Sequence, residues 1–199
     1  MAGNAENGGG RRGSPWRIAA WTVAALMLLL PLVAMRFTDA VDWDETDFIL
    51  ASALIGGAGL AFELAARATA NRAYRAAVGV ALAAASLLIW LNLAVGIIGT
   101  EDNPLNLMFG GVLAVGIIGA IVARFQPGGM ARALFATALA QALVAVIALI
   151  IGLGSPWSPP GVLGTLILNG FFAALFVGSA LLFRDAGREQ TPADAGQEG

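Results

Sequence analysis

The sequence predicts an all-α, polytopic membrane protein, a bundle of six transmembrane helices, and three observations predict it. Long apolar runs occupy residues 18–35, 48–66, 76–99, 107–123, 133–153 and 162–183. Charged residues make up 12% of the chain against 58% hydrophobic, where a soluble domain carries about 25% charged; the mean hydropathy is +0.79. Arginines collect in every second gap between the runs, as they do when successive loops fall on opposite faces of a bilayer. A helix rising about 1.5 Å per residue needs roughly 20 apolar residues to cross a hydrocarbon core about 30 Å thick, and each run is of that order. Membrane strands are excluded, because they alternate in polarity and are only about 10 residues long.

The chain divides into a polar N-terminal segment (1–15), a membrane domain (16–185) and a polar C-terminal tail (186–199). Neither end carries an apolar period able to offset its ordering entropy, so both are expected to lack fixed structure. Helix 1 follows Arg11, Arg12 and Arg17 and is read as an uncleaved span: it is too long for a signal h-region, and Val33-Ala34-Met35 offers no small-x-small cleavage site. Pro31 falls in its last turns, where it removes a helical hydrogen bond and predicts a kink. Helix 2 opens on a capping box, Asp44 with Asp47 three residues on, and Glu45 and Asp47 suit the positive end of its dipole. Helix 4 opens on Asn103-Pro104, an N-cap followed by proline at the first helical position.

Small residues recur four apart: Gly57, Ala61 and Ala65 in helix 2; Ala77, Ala81 and Ala85 in helix 3; Gly116 and Ala120 in helix 4; Gly170, Ala174 and Gly178 in helix 6. Lipid provides no hydrophobic drive between helices, so close backbone approach along such stripes is the expected means of packing, within the chain or between copies. The heptapeptide LAVGIIG occurs at 93–99 and again at 113–119. Its composition is cheap to repeat and the flanks do not align, so it is read as coincidence rather than as an inverted repeat.

Orientation follows from the arginines. Arg11, Arg12 and Arg17, then Arg67, Arg72 and Arg75, then Arg124 and Arg132, then Arg184 and Arg188 mark one side. The other three gaps hold Arg36 among Asp39, Asp42, Asp44, Glu45 and Asp47, then Glu101 and Asp102, then no charge in 155–161. Arginine is retained on the cytoplasmic side, which puts both termini there and the acidic gaps outside. Trp16, Trp21, Tyr74 and Phe125 at one level and Phe37, Trp43, Phe48 and Trp157 at the other fit the two interfaces.

The candidate functional residues are polar groups within the spans. Asn92 in helix 3 and Asn169 in helix 6 each fall about 10 Å below the outer boundary at 1.5 Å per residue. Gln141 lies deeper in helix 5, with Thr137 one turn away. The four suit interhelical hydrogen bonding or, alternatively, a polar pocket opening outward. Glu63 is the candidate intramembrane acid; it stands four residues before Arg67, so an ion pair near the interface is the simple reading and a proton relay the other. Asp42, Asp44 and Asp47 are weak candidates for a cation site, lacking the loop glycine and downstream glutamate of a calcium loop. No cofactor is implied. The chain has no histidine, cysteine or lysine, which removes imidazole and thiolate chemistry.

The segments 42–48 (DWDETDF), 92–104 (NLAVGIIGTEDNP) and 132–142 (RALFATALAQA) resemble a group of small bacterial membrane proteins, the similarity running from Trp16 to Phe183. The resemblance implies a six-helix inner-membrane protein with no assigned activity, and it brings no catalytic residues with it. Three function classes stay open: a non-catalytic membrane or accessory-subunit protein, a small transporter or channel built on Asn92, Gln141 and Asn169, and, with least support, an intramembrane enzyme. The partners expected are the lipid bilayer and either a second copy or another membrane protein, with no nucleic acid.

The arginine pattern makes a direct prediction. With single cysteines introduced at Arg72 or Asp102, an impermeant thiol reagent applied to intact cells labels position 102 and spares 72. The opposite labelling would invert the topology.

Overall fold

The computed structural model describes residues 15–38, 41–94, 96–98, 103–152 and 161–195. The expectations for Arg11, Arg12, Asp39, Glu101, Asp102 and Trp157 fall outside that set. All regular structure among the described residues is helical. The helices are α1 (Pro15–Ala34), α2 (Glu45–Ala68), α3 (Arg72–Ala94), the short 3-10 helix η1 (Pro104–Leu107), α4 (Met108–Val122), α5 (Pro127–Gly152) and α6 (Gly161–Ala195). Six of the helical segments are long and apolar enough to cross a membrane. The chain forms two units, Met1–Gly59 and Leu60–Gly199, with the division falling inside α2.

In the first unit the capping box forms as expected. Asp44 Oδ1 accepts from the N–H groups of Thr46 and Asp47 at 2.7 and 3.0 Å, and Asp47 Oδ2 accepts from Asp44 N–H at 3.0 Å. This reciprocal arrangement satisfies donors that a helix start leaves free. Trp43 stacks edge-on against Phe48, with centroids 5.2 Å apart. The Trp21 ring lies against Gly59, where an added Cβ would come within 3.0 Å of it.

The second unit is built around α6, which packs against α5 on one side and α3 on another, while α4 packs on α5. Along α6 the buried residues are Thr165, Asn169, Phe172, Phe176, Ser179, Ala180, Phe183 and Ala186, largely at the three-and-four spacing of one helical face. Opposite them, α3 buries Ala77, Ala84 and Leu88. The Ser179 hydroxyl donates to the Ala77 carbonyl at 2.7 Å, and Tyr74 meets Phe183 edge-on at 5.0 Å. The helix α5, flanked by α4 and α6, is buried at Leu134, Ala138, Val144 and Ala148 among others.

Small residues govern the α4–α5 contact. A Cβ at Gly119 would sit 2.6 Å from the Cβ of Ala133 and 3.2 Å from its Cα, and one at Gly116 would sit 3.2 Å from Thr137 Oγ1. The helix 4 stripe is therefore a packing face. The helix 6 stripe is not a packing face of this unit: Gly170 and Ala174 are exposed, and nothing lies within 4 Å of a Cβ added at Gly170 or Gly178. Here α6 packs through its phenylalanines, because they bury far more area than glycines on the adjacent face.

Two boundaries depart from the sequence expectation. The apolar run of helix 3 continues to residue 99, but α3 stops at Ala94 and Gly96 adopts φ +70°. At the other end, α6 continues as helix to Ala195 rather than giving way to an unstructured tail at 186. Ala186 is buried, and Asn71 Nδ2 donates to its carbonyl at 3.4 Å and to Glu189 at 3.0 Å. A helix of 35 residues is about 52 Å long, well beyond the roughly 30 Å of hydrocarbon, so its polar end projects from the membrane.

These contacts predict opposite results for two glycine substitutions. Gly119→Ala overpacks α4 against α5 and lowers detergent-solubilised stability by about 1–3 kcal/mol. Gly178→Ala meets open space and is neutral or stabilising, since alanine is the better helix former by about 1 kcal/mol. Thermal melts of the two variants check both, and equal destabilisation would refute the packing assignment.

Candidate functional site

Most of the buried polar side chains of the second unit join one connected set of hydrogen bonds between the α3–α4 connector, α6 and α5. The connector follows the end of α3 at Ala94, and Gly96 within it takes φ +70°. Ile97 and Ile98 then lie fully inside the protein, at 0% and 4% exposure. Outside a helix, their N–H groups have no ladder to join, and a buried donor left unpaired costs about 1–3 kcal/mol. Asn106 answers both: its Oδ1 accepts from Ile97 N–H at 3.2 Å and Ile98 N–H at 3.0 Å. Asn106 is held in η1, which Asn103 caps by accepting from Leu105 N–H at 3.0 Å, with Pro104 at the first position.

From the connector the bonds run inward. Thr165 on α6 donates to the Ile97 carbonyl at 3.3 Å. One turn further along α6, Asn169 Nδ2 donates to the Thr165 carbonyl at 2.8 Å, and Asn169 Oδ1 accepts from Gln141 Nε2 of α5 at 2.9 Å. The amide orientations follow from the acceptor at the end of the chain. A carbonyl only accepts, so Asn169 must turn its NH2 to Thr165 and its oxygen to Gln141, which must then donate. Gln141 and Asn169 are 0% and 1% exposed.

Asn92 joins the same set, its Nδ2 donating to the Asn106 carbonyl at 3.3 Å. Its position is shallower than the sequence implies. Because α3 ends at Ala94, Asn92 lies about 3 Å from the helix end, whereas Asn169 lies about 12 Å into α6. Thr137 takes another direction: it is buried, its hydroxyl donates to the Ala133 carbonyl at 2.9 Å in the preceding turn, and it faces Gly116 of α4. Among the described residues, two buried oxygens, Asn92 Oδ1 and Gln141 Oε1, have no hydrogen-bond partner.

The acidic candidates take no part in these hydrogen bonds. Glu63 pairs with Arg67 at 2.6 Å one turn along α2. Asp44 and Asp47 are engaged in the helix 2 cap, and Asp42 is exposed. Among the described residues, no three carboxylates are grouped as a metal would require. The buried polar side chains there are all amides and hydroxyls, none of which changes charge near neutral pH.

Asn106 and Thr165 are the members that sequence reasoning passed over. Asn106 stands three residues after the capping asparagine, in what reads as the ordinary start of a span. The signal available was a second amide inside a Pro-initiated turn, but its partners depend on α3 stopping early.

Compared with known proteins, the chain matches no family model, no curated protein and no solved structure. The functional reading therefore rests on the geometry of these residues.

The amide set predicts unequal costs. Asn106→Leu strips both connector N–H groups of their acceptor and is strongly destabilising, at about 1–3 kcal/mol for each group left unpaired. Gln141→Leu removes one interhelical bond, worth about 0.6 kcal/mol on average in membranes, and also removes an unpartnered oxygen, so it is milder. Thermal unfolding in one detergent ranks the two; the reverse order would show that Asn106 does not hold the connector.

Proposed function

We propose that this chain is a non-catalytic, multi-pass protein of a bacterial inner membrane, with both termini cytoplasmic, acting as an accessory component beside another membrane protein. The observation that carries this reading is the sealed Gln141–Asn169 pair. These buried amides bond α5 to α6 and, through Thr165 and Asn106, help fix the connector. A conduction path needs its polar groups wet, whereas these two are closed off from solvent. Supporting this, the described carboxylates are surface groups or partly buried ones engaged in caps and ion pairs. That leaves little for acid–base chemistry, which works through titrating groups held in a pocket.

A small-transporter reading keeps one observation in its favour. Gln141 Oε1 and Asn92 Oδ1 are buried acceptors without donors among the described residues, and such atoms are where a water or a donor-bearing solute would bind.

Two measurements separate the readings. In this cysteine-free chain, Asn169→Cys in the folded protein should stay unlabelled by a small water-soluble maleimide and become labelled on denaturation. Vesicles carrying the purified wild-type protein should be no more permeable to ions than protein-free vesicles. Ion flux that Asn169→Leu abolishes while the fold survives would replace the accessory reading with the transporter one.

A further inference from the structure

The α4–α5 turn contains an unusual pair. Arg124 and Phe125 are consecutive residues with φ of 48° and 58°, in the left-handed region. That conformation crowds a Cβ against the backbone, so chains ordinarily place glycine there. This chain does so elsewhere: the other described residues with positive φ are Gly96 and Gly161. The turn itself is firmly held. Phe125 N–H donates to the Ala120 carbonyl at 3.2 Å, Gln126 N–H to Ala123 at 2.9 Å, and the Tyr74 hydroxyl to the Phe125 carbonyl at 2.8 Å.

Backbone geometry requires the left-handed turn, but nothing in the interior requires these two side chains. Both are exposed, Phe125 at 59%, so neither is kept for packing. An arginine here does meet the negative end of the α4 dipole. That benefit is open to any position in the last helical turn, without leaving the right-handed region. The side chains therefore face outward for a reason that lies outside the fold.

The level and charge of the turn identify that reason. It follows directly on the α4 span, Pro104–Val122, so it stands at the headgroup region. Tyr74 also stacks on Phe183, and Gly187 lies close to Pro127 and Gly128, which brings the starts of α3 and α5 and the inner part of α6 to this same end. Described acids at this end already have partners in the protein: Glu63 with Arg67, Asp185 with Arg188 at 3.7 Å, and Glu189 with Asn71. Arg72, Arg124, Arg132 and Arg184 are all exposed, and among the described residues none of them is in an ion pair. A guanidinium offers phosphate a two-pronged set of donors, and an aromatic ring beside it suits the boundary between headgroups and acyl chains.

We propose that the Arg124–Phe125 turn docks the phosphate headgroup of an anionic phospholipid, with Arg72, Arg132 and Arg184 supplying the surrounding positive field. The occupant is a membrane lipid, since the turn stands at headgroup level and pairs its cation with an exposed ring.

The test uses the full chain reconstituted in phosphatidylcholine vesicles, with and without phosphatidylglycerol, and reads the thermal midpoint. For the wild type, phosphatidylglycerol raises the midpoint, and added salt diminishes the rise. Arg124→Gly relieves the backbone, so its midpoint in pure phosphatidylcholine is equal to or above that of the wild type, yet it loses most of the phosphatidylglycerol-dependent rise. Arg124→Gln keeps the strained backbone and loses the charge, and it too loses the rise. A wild-type protein indifferent to phosphatidylglycerol, or a rise that persists in either variant, overturns the proposal. So does an equal stabilisation by inorganic phosphate in detergent, which would mark a site for a soluble anion.

Discussion

The second unit depends on satisfying backbone donors where α3 ends. Ile97 and Ile98 are apolar enough to belong in a span, and they are buried as if they were in one. Their peptide groups have nevertheless left the helix, and burial away from water makes every unpaired N–H costly. Asn106 resolves this with one carbonyl oxygen that accepts both. Once the connector is pinned, its Ile97 carbonyl presents an acceptor to Thr165 of α6, and the line of bonds through Asn169 to Gln141 follows. The amides thus fix which part of α6 faces the connector and which part faces α5.

Packing elsewhere divides by the size of the side chains available. Between α6 and α3, Phe183 meets Tyr74 edge-on and a hydroxyl-to-carbonyl bond from Ser179 to Ala77 fixes the register. The α4–α5 contact is built from the absence of side chains at Gly116 and Gly119, which lets Ala133 and Thr137 approach closely. Both solutions suit a lipid environment, where tight contact and interhelical hydrogen bonds replace the hydrophobic drive of water. The repeated heptapeptide shows how far context decides. In its second copy LAVGIIG is continuous helix within α4, whereas in its first the helix ends at Ala94, Gly96 takes a positive φ, and Ile97 and Ile98 are buried in a bend.

The two ends of this unit are organised by different forces. At the connector end, uncharged amides and hydroxyls bond to one another and to backbone. At the arginine end, Arg75 caps α2 by donating to the Ala66 and Thr69 carbonyls at 2.6 and 2.8 Å, Asn71 caps α3, and several guanidiniums face outward. The first set holds helices together; the second ties their ends and leaves several arginines exposed.

The sequence by itself determined the helical class, the six spans and two of the caps, at Asp44–Asp47 and Asn103–Pro104. These are local quantities: transfer of an apolar run into hydrocarbon sums over neighbouring residues, and a cap involves groups two or three positions apart. It also singled out Gln141 and Asn169, because an amide inside an apolar run must find a partner. Only the tertiary structure decided that these two bond to each other, that α3 stops at Ala94, that Asn106 and Thr165 join them, and that the α4 glycines rather than those of α6 form a packing face. Each of these depends on groups that are distant in sequence or on where a neighbouring helix lies, as with Thr165 and Ile97, 68 residues apart. No local pattern encodes which of several equivalent small or polar residues will meet its partner.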